Sequence, residues 1–503
     1  MIILGNNKFD ALMWEYNIFE HEWSLYDRAI TQENLNAISF EDVNKFRVFR
    51  DNDYNINISC VIDINQINYN KKKREKPINN KELLVGSSIP EGKLKINLCE
   101  NYSVVFESCY VVKNTRTINK KEYIITCRHI EGKDSSKSFS VLKEWLLNGD
   151  STGLYYYSNK MFNFEVEEAT FGSYGDLEFP IKQLNTVRGC QGSFIHIKYK
   201  DTAFDIHFID KSYGPQWSNN LSISYFEKYG RIPSLKERNI IRNYLSFFIG
   251  KKLIYVGNST FDENGNQIGF VMETPNTYSF DIKKICLNAA EAPIGTNYDS
   301  LPNYFNVVQK YIEIFEEIYD KLDFESFFNS YWYAKRVAKP IDLPILASAL
   351  EHLMKKWYEN IEINPESLLM DKKDFKKRIQ PIKVLLTTQF KDTNYAERMT
   401  RSIYNMNRMS INEQMNHFFE KIGIPLGEEE QYALRARNIS VHGDYDKNIN
   451  DYEKIFKISQ IYKTIITRVV LKLLNYSGKY VDYGTIGYPE KDINCPSGQP
   501  NIE

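Results

Sequence analysis

"GEEEQYALRARNISVHGD", residues 427–444, opens with three glutamates after a glycine and closes with a glycine just after a histidine. Glutamates favour the electropositive first turn of a helix, and a glycine in the left-handed conformation commonly ends one. The stretch therefore predicts one helix from about Leu426 to His442, with Gly443 as its C-terminal stop.

Helical geometry sorts the polar residues of this helix into two groups. Asn438 and His442 are four residues apart and share a face, and Arg435, seven residues before His442, lies on that face too. Arg437 lies about 140° from His442 around the helix axis. We expect Asn438 to orient the His442 ring, while Arg437 must reach around the helix or meet a groove between helices.

These residue types suit the cleavage of RNA without a metal. A histidine that titrates near neutrality can accept the 2′-hydroxyl proton or protonate the leaving oxygen, and an arginine can hold the phosphate as negative charge accumulates. One histidine cannot comfortably act as base and acid at once. Two copies of the helix that face each other across a dimer would supply both groups.

A structural role for the same residues stays open. A histidine in the last turn of a helix interacts favourably with the helix dipole and needs no catalytic part. Arg-Asn pairs begin at Arg238, Arg242 and Arg437, and only Arg437 is followed by a histidine five residues later. Residue chemistry alone prefers neither interpretation.

The surrounding sequence predicts helices from about residue 300 to 480, because apolar residues recur there with helical spacing. In residues 343–360 the predicted apolar face comprises Leu346, Ala349, Leu350, Leu353, Met354 and Trp357. In the last long helix it comprises Ile455, Ile458, Ile461, Ile465, Val469 and Leu473. Residues 481–503 read as a flexible polar tail.

The first half of the chain predicts strands instead. Residues 83–285 contain short apolar runs rich in Val, Ile, Tyr and Phe, including two hairpins, 193–199 with 203–209 and 251–257 with 267–273, and one helix that Gly250 ends. Residues 1–80 mix helix with short strands. The predicted fold class is an α+β multidomain chain, in which a β-rich N-terminal half precedes an all-α bundle.

The charge balance restricts any polyanion site to a local patch. The chain of 503 residues has 64 basic and 65 acidic side chains, and residues 301–503 hold 28 of each. One basic cluster in residues 371–383 comprises Lys372, Lys373, Lys376, Lys377, Arg378 and Lys383. Such a cluster could follow an RNA backbone, although an ordinary solvated helix face is the favoured interpretation.

Several classes of protein are excluded or unsupported by the sequence. There is no signal peptide and no run of eighteen apolar residues, so we expect a cytoplasmic protein that does not enter the membrane. Neither a P-loop nor a dinucleotide-binding fingerprint is present, so no cofactor is expected. His196 and His207 lie on opposite arms of a predicted hairpin, but no third residue with suitable spacing completes a metal site.

The residues "RNISVHGD", 437–444, resemble the Arg-Asn-x-x-x-His motif of HEPN domains, helical bundles many of which are metal-independent ribonucleases active as dimers. Residues 240–257, 345–359 and 469–484 add a pattern similar to the ApeA type of HEPN protein from bacterial antiphage defence. The resemblance covers most of residues 83–480.

The resemblance implies a role for each motif residue. Arg437 would bind phosphate, His442 would be catalytic and Asn438 would support the site. Arg435, outside the motif, is a second candidate phosphate contact because it shares a face with His442. The family implies a homodimer or higher homo-oligomer that cleaves RNA, with tRNA a candidate substrate, after a phage-derived trigger. Two alternatives stay open: a non-catalytic HEPN scaffold, and a regulator that binds nucleic acid through the basic cluster in residues 371–383.

Overall fold

A computed structural model of the chain describes residues 9, 14–15, 22–23, 25, 28–35, 38–64, 91–149, 168–169, 181–182, 194–209, 211, 214–277, 280–296, 301–339, 341–361, 370–390, 395–407, 409–442 and 452–500. For residues 22, 168–169, 181–182, 194, 301–303, 396, 400, 405, 437–442 and 452 it describes the backbone alone. Two compact units divide the chain: Met1–Arg238 with Lys251–Ala290, and Asn239–Gly250 with Glu291–Glu503.

The first unit contains the strands β1 (Glu22–Trp23), β2 (Ala29–Glu33), β3 (Lys45–Arg50), β4 (Ile56–Asp63), β5 (Gly92–Asn97), β6 (Tyr102–Arg116), β7 (Lys120–Cys127), β8 (His129–Asp134), β9 (Val141–Leu147), β10 (Glu168–Ala169), β11 (Ile181–Lys182), β12 (Phe194–Tyr199), β13 (Thr202–Ile209), β14 (Asn220–Phe226), β15 (Ile254–Phe261) and β16 (Gln267–Glu273). A short helix, Ile282–Leu287, follows them.

Most of these strands form one antiparallel sheet. Along its main path the order is β1-β3-β4-β7-β6-β8-β16-β15-β9-β14-β13-β12, and β5 joins β2 to β6. Strand β4 pairs with β7 over its whole length, from Ile56 opposite Cys127 to Asp63 opposite Lys120. Strands from the predicted N-terminal segment 1–80 therefore share one sheet with strands from residues 83–285.

Both predicted hairpins are confirmed. In the first, Tyr199 pairs with Thr202 across a two-residue turn, and Lys200 has a positive φ of 51°. In the second, Gly265 has a φ of 74°, and the Asp262 carboxylate accepts a hydrogen bond of 2.8 Å from the Asn266 backbone N–H. Turn chemistry of this kind is local, and the sequence predicts it for that reason.

The other helices are α1 (Leu235–Ile249), α3 (Leu301–Tyr319), α4 (Phe324–Ala334), α5 (Asp342–Asn360), α6 (Lys372–Gln389), α7 (Tyr395–Asn405), α8 (Ile411–Lys421), α9 (Glu428–His442) and α10 (Tyr452–Leu473), with Ile282–Leu287 as α2. All six predicted apolar positions of α5 are buried. The coarse prediction is thus confirmed: strands dominate the first half and helices the second. In the described part of the chain, no helix is long and apolar enough to cross a bilayer.

Gly250 ends α1 as predicted. Its φ is 78°, and a Cβ atom at this position would lie 2.1 Å from the backbone carbon of Glu291. Only glycine fits this position without a shift in the backbone.

The C-terminal segment is folded, which contradicts the prediction of a flexible tail from residue 481. Strands β17 (Lys479–Val481) and β18 (Glu490–Asp492) form an antiparallel hairpin, and Ile493 and Cys495 are fully buried. The Asp482 carboxylate organises the loop, because it accepts hydrogen bonds from the Thr485 and Ser497 hydroxyls, each 2.6 Å long. The prediction failed because polar composition does not reveal these contacts.

Candidate functional site

The helix α9 carries the predicted catalytic residues, and its backbone is helical from Glu428 to His442. The three predicted glutamates occupy its first turn. The Glu430 side chain accepts a hydrogen bond of 3.1 Å from the backbone N–H of Gly427, one of the amide groups that a helix start leaves without a helical partner. Arg437 and His442 therefore lie on one continuous helix, as predicted.

A buried ion pair fixes the start of α9. Glu430 Oε1 lies 2.5 Å from Arg468 Nη1 of α10, and both side chains are fully buried. The Arg468 guanidinium also donates to the carbonyl oxygens of Ile493, at 3.0 Å, and Pro425, at 3.1 Å. Glu430 Oε1 accepts a further hydrogen bond of 3.0 Å from the Ser497 backbone N–H. The first turn of α9 is thus joined to α10 and to the C-terminal segment.

The described side chains of α9 define a buried face and an exposed face. Glu430, Ala433 and Ala436 are buried, and α9 packs against α10 and α5. Gln431 and Arg435 are exposed. Arg435 Nη2 donates a hydrogen bond of 3.2 Å to Gln431 Oε1 within the same helix. The exposed face therefore carries a guanidinium at the helix surface.

Helical phase places the motif positions on different faces of α9. At about 100° per residue, positions 438 and 442 lie within about 60° of Arg435, on the exposed face. Position 437 lies between those of Glu430 and Ala433, on the face that packs in the bundle. The side chains of residues 437–442 and all of Gly443 lie outside the described residues, so the site geometry and the glycine stop stay predictions.

The predicted basic cluster lies on α6. Lys372, Lys373, Lys376, Lys377 and Arg378 are exposed, and Lys383 is partly buried. The Asp371 carboxylate caps the helix by accepting a hydrogen bond of 2.7 Å from the Lys373 backbone N–H. Lys372, Lys376 and Lys383 lie within about 40° of one another around the helix. This basic row belongs to the helix pair α6–α7, whereas α9 pairs with α10 and α5.

The second unit also contains a cluster of buried and partly buried charged side chains that the sequence did not predict. Lys335 Nζ lies 2.7 Å from Glu291 Oε2, and Lys339 Nζ lies 2.7 Å from Asp342 Oδ2. Lys463 of α10 is 8% exposed and donates to Gln460 Oε1 at 3.2 Å. Lysines inside an apolar helix such as α10 are the signal in the sequence that could have indicated buried charge.

The charged groups of this cluster shift one another's ionisation. Burial alone would raise the pKa of Glu291, but the positive charges of Lys335 and Lys463 hold that pKa at about 2. Burial lowers the pKa of Lys463 to about 8, and Lys339 and Lys335 act in the same direction. Perturbed groups of this kind occur at functional sites and in structural ion networks alike.

Three other described histidines contact a neighbouring polar side chain. His352 Nε2 lies 3.0 Å from Asp323 Oδ2, His417 Nδ1 lies 2.7 Å from the Tyr358 hydroxyl, and His196 Nδ1 lies 2.7 Å from Asp205 Oδ1. Within the described residues no group of three or more His, Cys, Asp or Glu side chains is arranged to hold a metal ion.

Comparison of the chain with protein-family models, with curated proteins and with solved structures finds no match in any of the three.

Proposed function

We propose that the chain is a metal-independent endoribonuclease of the HEPN type, in which α9 supplies the catalytic residues. One observation carries the proposal: the motif from Arg437 to His442 lies on a single helix whose 438 and 442 positions share a face with the exposed Arg435. A histidine and an arginine on one surface are what cleavage of a phosphodiester needs.

The proposed reaction begins when one His442 imidazole accepts the 2′-hydroxyl proton of the substrate. The 2′-oxygen then attacks the adjacent phosphorus, and the bond from phosphorus to the 5′-oxygen breaks. A second histidine, in its imidazolium form, donates a proton to the leaving 5′-oxygen. The products carry a 2′,3′-cyclic phosphate and a 5′-hydroxyl, and no oxidant or metal takes part.

The proton balance of this reaction supports a site made from two copies of α9. One copy supplies the base and the other supplies the acid, so we expect a homodimer or higher homo-oligomer. In the transition state the guanidinium of Arg437 neutralises charge on the phosphate oxygens, and Asn438 positions the imidazole. The position of Arg437 on the packed face of α9 suggests that its side chain would have to pass the helix edge to reach that phosphate.

The exposed basic side chains give the RNA a path along the protein surface. Arg435 lies seven residues before His442 and can hold a phosphate next to the one that reacts. The basic row of α6 would hold phosphates further along the strand. The substrate is RNA, with tRNA the leading candidate, and the biological setting is growth arrest of a phage-infected bacterium.

The alternative function is that of a scaffold, in which the helical unit binds a partner and cleaves nothing. The buried Glu430–Arg468 pair favours it in one respect, because α9 has a structural role that is independent of catalysis. Phage-infected bacteria that carry the wild type or His442→Ala distinguish the two functions. The nuclease predicts cleaved RNA and arrested growth with the wild type alone, and the scaffold predicts identical infections.

A further inference from the structure

A row of polar side chains crosses one face of the antiparallel sheet in the first unit. Ser224 of β14 pairs with Asp205 of β13 on one side and with Lys143 of β9 on the other, and Lys143 pairs in turn with Ser259 of β15. Directly paired residues in antiparallel strands point to the same face. All four residues are at most 2% exposed, so the row lies inside the protein.

A second polar row lies two residues along the same strands. Ser222 of β14 pairs with His207 on one side and with Trp145 on the other. Because two residues of a strand span about 7 Å, the two rows are close enough for one small molecule to touch both. Trp145 is fully buried and belongs to the apolar core of the unit, so this face of the sheet looks inward.

Several buried polar atoms on this face lack a hydrogen-bond partner. Among the described residues, nothing accepts or donates a hydrogen bond at Ser222 Oγ, Ser224 Oγ or Trp145 Nε1. All three side chains are fully buried. A native protein has few such atoms, because each gives up its hydrogen bonds to water without replacement. Three of them on one face of two neighbouring strands point to a bound partner that would satisfy them together.

The donors on this face indicate what that partner would be. The two serine hydroxyls and the indole N–H can all donate, and the ammonium of Lys143 lies in the same row as Ser224. The carboxylate in that row, Asp205, is already engaged by His196 at 2.7 Å. Three donors grouped on one face favour an oxyanion, whose oxygens accept hydrogen bonds.

An aromatic side chain borders the Lys143 end of the row. The Phe9 ring lies 6.0 Å from Lys143 Nζ, and it packs edge-to-face against Phe226 at 5.5 Å and Phe261 at 5.4 Å. Burial by apolar rings reduces competition from water, which strengthens a hydrogen bond between Ser224 and a charged ligand.

We propose that this inner face of the sheet binds a small ligand through a carboxylate or phosphate group, with Ser222, Ser224 and Trp145 as hydrogen-bond donors. The proposal is independent of ribonuclease activity, because all of its residues lie in the first unit and none lies on α9. The first unit would thus bind a small anion.

Equilibrium dialysis of the full chain against radiolabelled inorganic phosphate, and separately against radiolabelled acetate, tests the proposal. Chloride keeps the ionic strength constant. We expect saturable binding of at least one anion to the wild type, and a loss of tenfold or more in affinity for the Ser222→Ala/Ser224→Ala variant. Saturable binding of phosphate but not acetate would identify a phosphate ester as the ligand class. Saturable binding of acetate but not phosphate would identify a carboxylate.

Ser218→Ala is the matched control. The buried Ser218 hydroxyl accepts a hydrogen bond of 3.0 Å from the Asn148 backbone N–H, so its removal should lower the thermal midpoint and leave anion binding within twofold. Ser222→Ala/Ser224→Ala should not lower the midpoint of the anion-free protein, because the lost hydroxyls have no partner to lose.

Trp145→Phe supplies a second variant that keeps the aromatic ring and removes the N–H donor. We expect this variant to weaken anion binding severalfold. It tests the proposal even if the double serine variant does not fold. The proposal is overturned if neither anion binds the wild type saturably, or if the serine and Trp145 variants bind as the wild type does.

Discussion

Glu430 Oε1 of α9 lies 2.5 Å from Arg468 Nη1 of α10, and neither side chain is exposed. The pair connects the helix that carries the predicted catalytic residues to the longest helix of the second unit among those described. The backbone N–H groups of Gly427 and Ser497 donate hydrogen bonds to the two carboxylate oxygens of Glu430. Such additional hydrogen bonds help to offset the desolvation cost of a buried ion pair.

Removal of one partner of this pair should destabilise the protein. Arg468→Met leaves the Glu430 carboxylate buried without its counter-charge, which should lower the free energy of unfolding by about 3–5 kcal/mol. Glu430→Gln/Arg468→Met should recover part of that loss because it removes both charges. Denaturant unfolding followed by circular dichroism measures both. Equal stability of Arg468→Met and the wild type would contradict the structural role of the pair.

Lys463 should make stability rise in alkaline solution. Its pKa is about 8 in the folded chain, against an ordinary value of 10.5, so the unfolded chain binds more protons between these values. The free energy of unfolding therefore rises between about pH 8 and pH 10.5, by roughly 3 kcal/mol if Lys463 acts alone. Lys463→Met should abolish this rise and stabilise the protein at pH 7.

Thermal midpoints of the wild type and Lys463→Met across that pH range provide the measurement. Lys310→Met, which removes an exposed lysine of α3, is the matched control and should follow the wild type. If the thermal midpoints of the wild type and Lys463→Met change in parallel with pH, burial does not lower the pKa of Lys463.

Arg435→Ala should weaken RNA binding modestly without abolishing cleavage. The side chain is exposed and its described contact is with Gln431, so the fold should not change. Loss of one phosphate contact should reduce the slope of log affinity against log salt by about one. Filter binding at several salt concentrations measures the slope. An unchanged slope would place Arg435 outside the RNA path.

The basic row of α6 should contribute more to binding than isolated lysines do. Lys372→Ala/Lys376→Ala/Lys383→Ala should lower RNA affinity by tenfold or more at low salt and flatten its salt dependence. A control that removes three exposed lysines elsewhere in the second unit should change affinity less: Lys310, Lys355 and Lys421. If both triple variants lower RNA affinity equally, the basic row of α6 is an ordinary solvated helix face.

Local chemistry explains which parts of the fold the sequence could predict. The stop at Gly250 and the turn at Gly265 need a positive φ, and the apolar face of α5 follows from helical spacing. Each of these features depends on residues within one element or one turn. The length of α9 was predicted for the same reason, since its glutamates mark the first turn.

The features that were missed depend on residues far apart in the chain. The pairing of β4 with β7, the Glu430–Arg468 pair and the Asp482 loop join segments whose contacts no local pattern reveals. The burial of Ser222 and Ser224 was not predicted. These serines alternate with apolar residues along β14, and that pattern does not indicate that the polar face of a strand is buried. At the candidate site, the sequence predicted the helix and its phase, and the partners of Glu430 came from the structure alone.

Cleavage of purified total RNA in EDTA, by protein taken from phage-infected cells, tests the central claim most directly. We expect the wild type to produce fragments with 2′,3′-cyclic phosphate and 5′-hydroxyl ends, and His442→Ala and Arg437→Ala to produce at least a hundredfold fewer. Arg401→Ala, which removes an exposed arginine of α7, should cleave as the wild type does. Equal cleavage by the wild type and His442→Ala, or no cleavage by either, would contradict a ribonuclease site on α9.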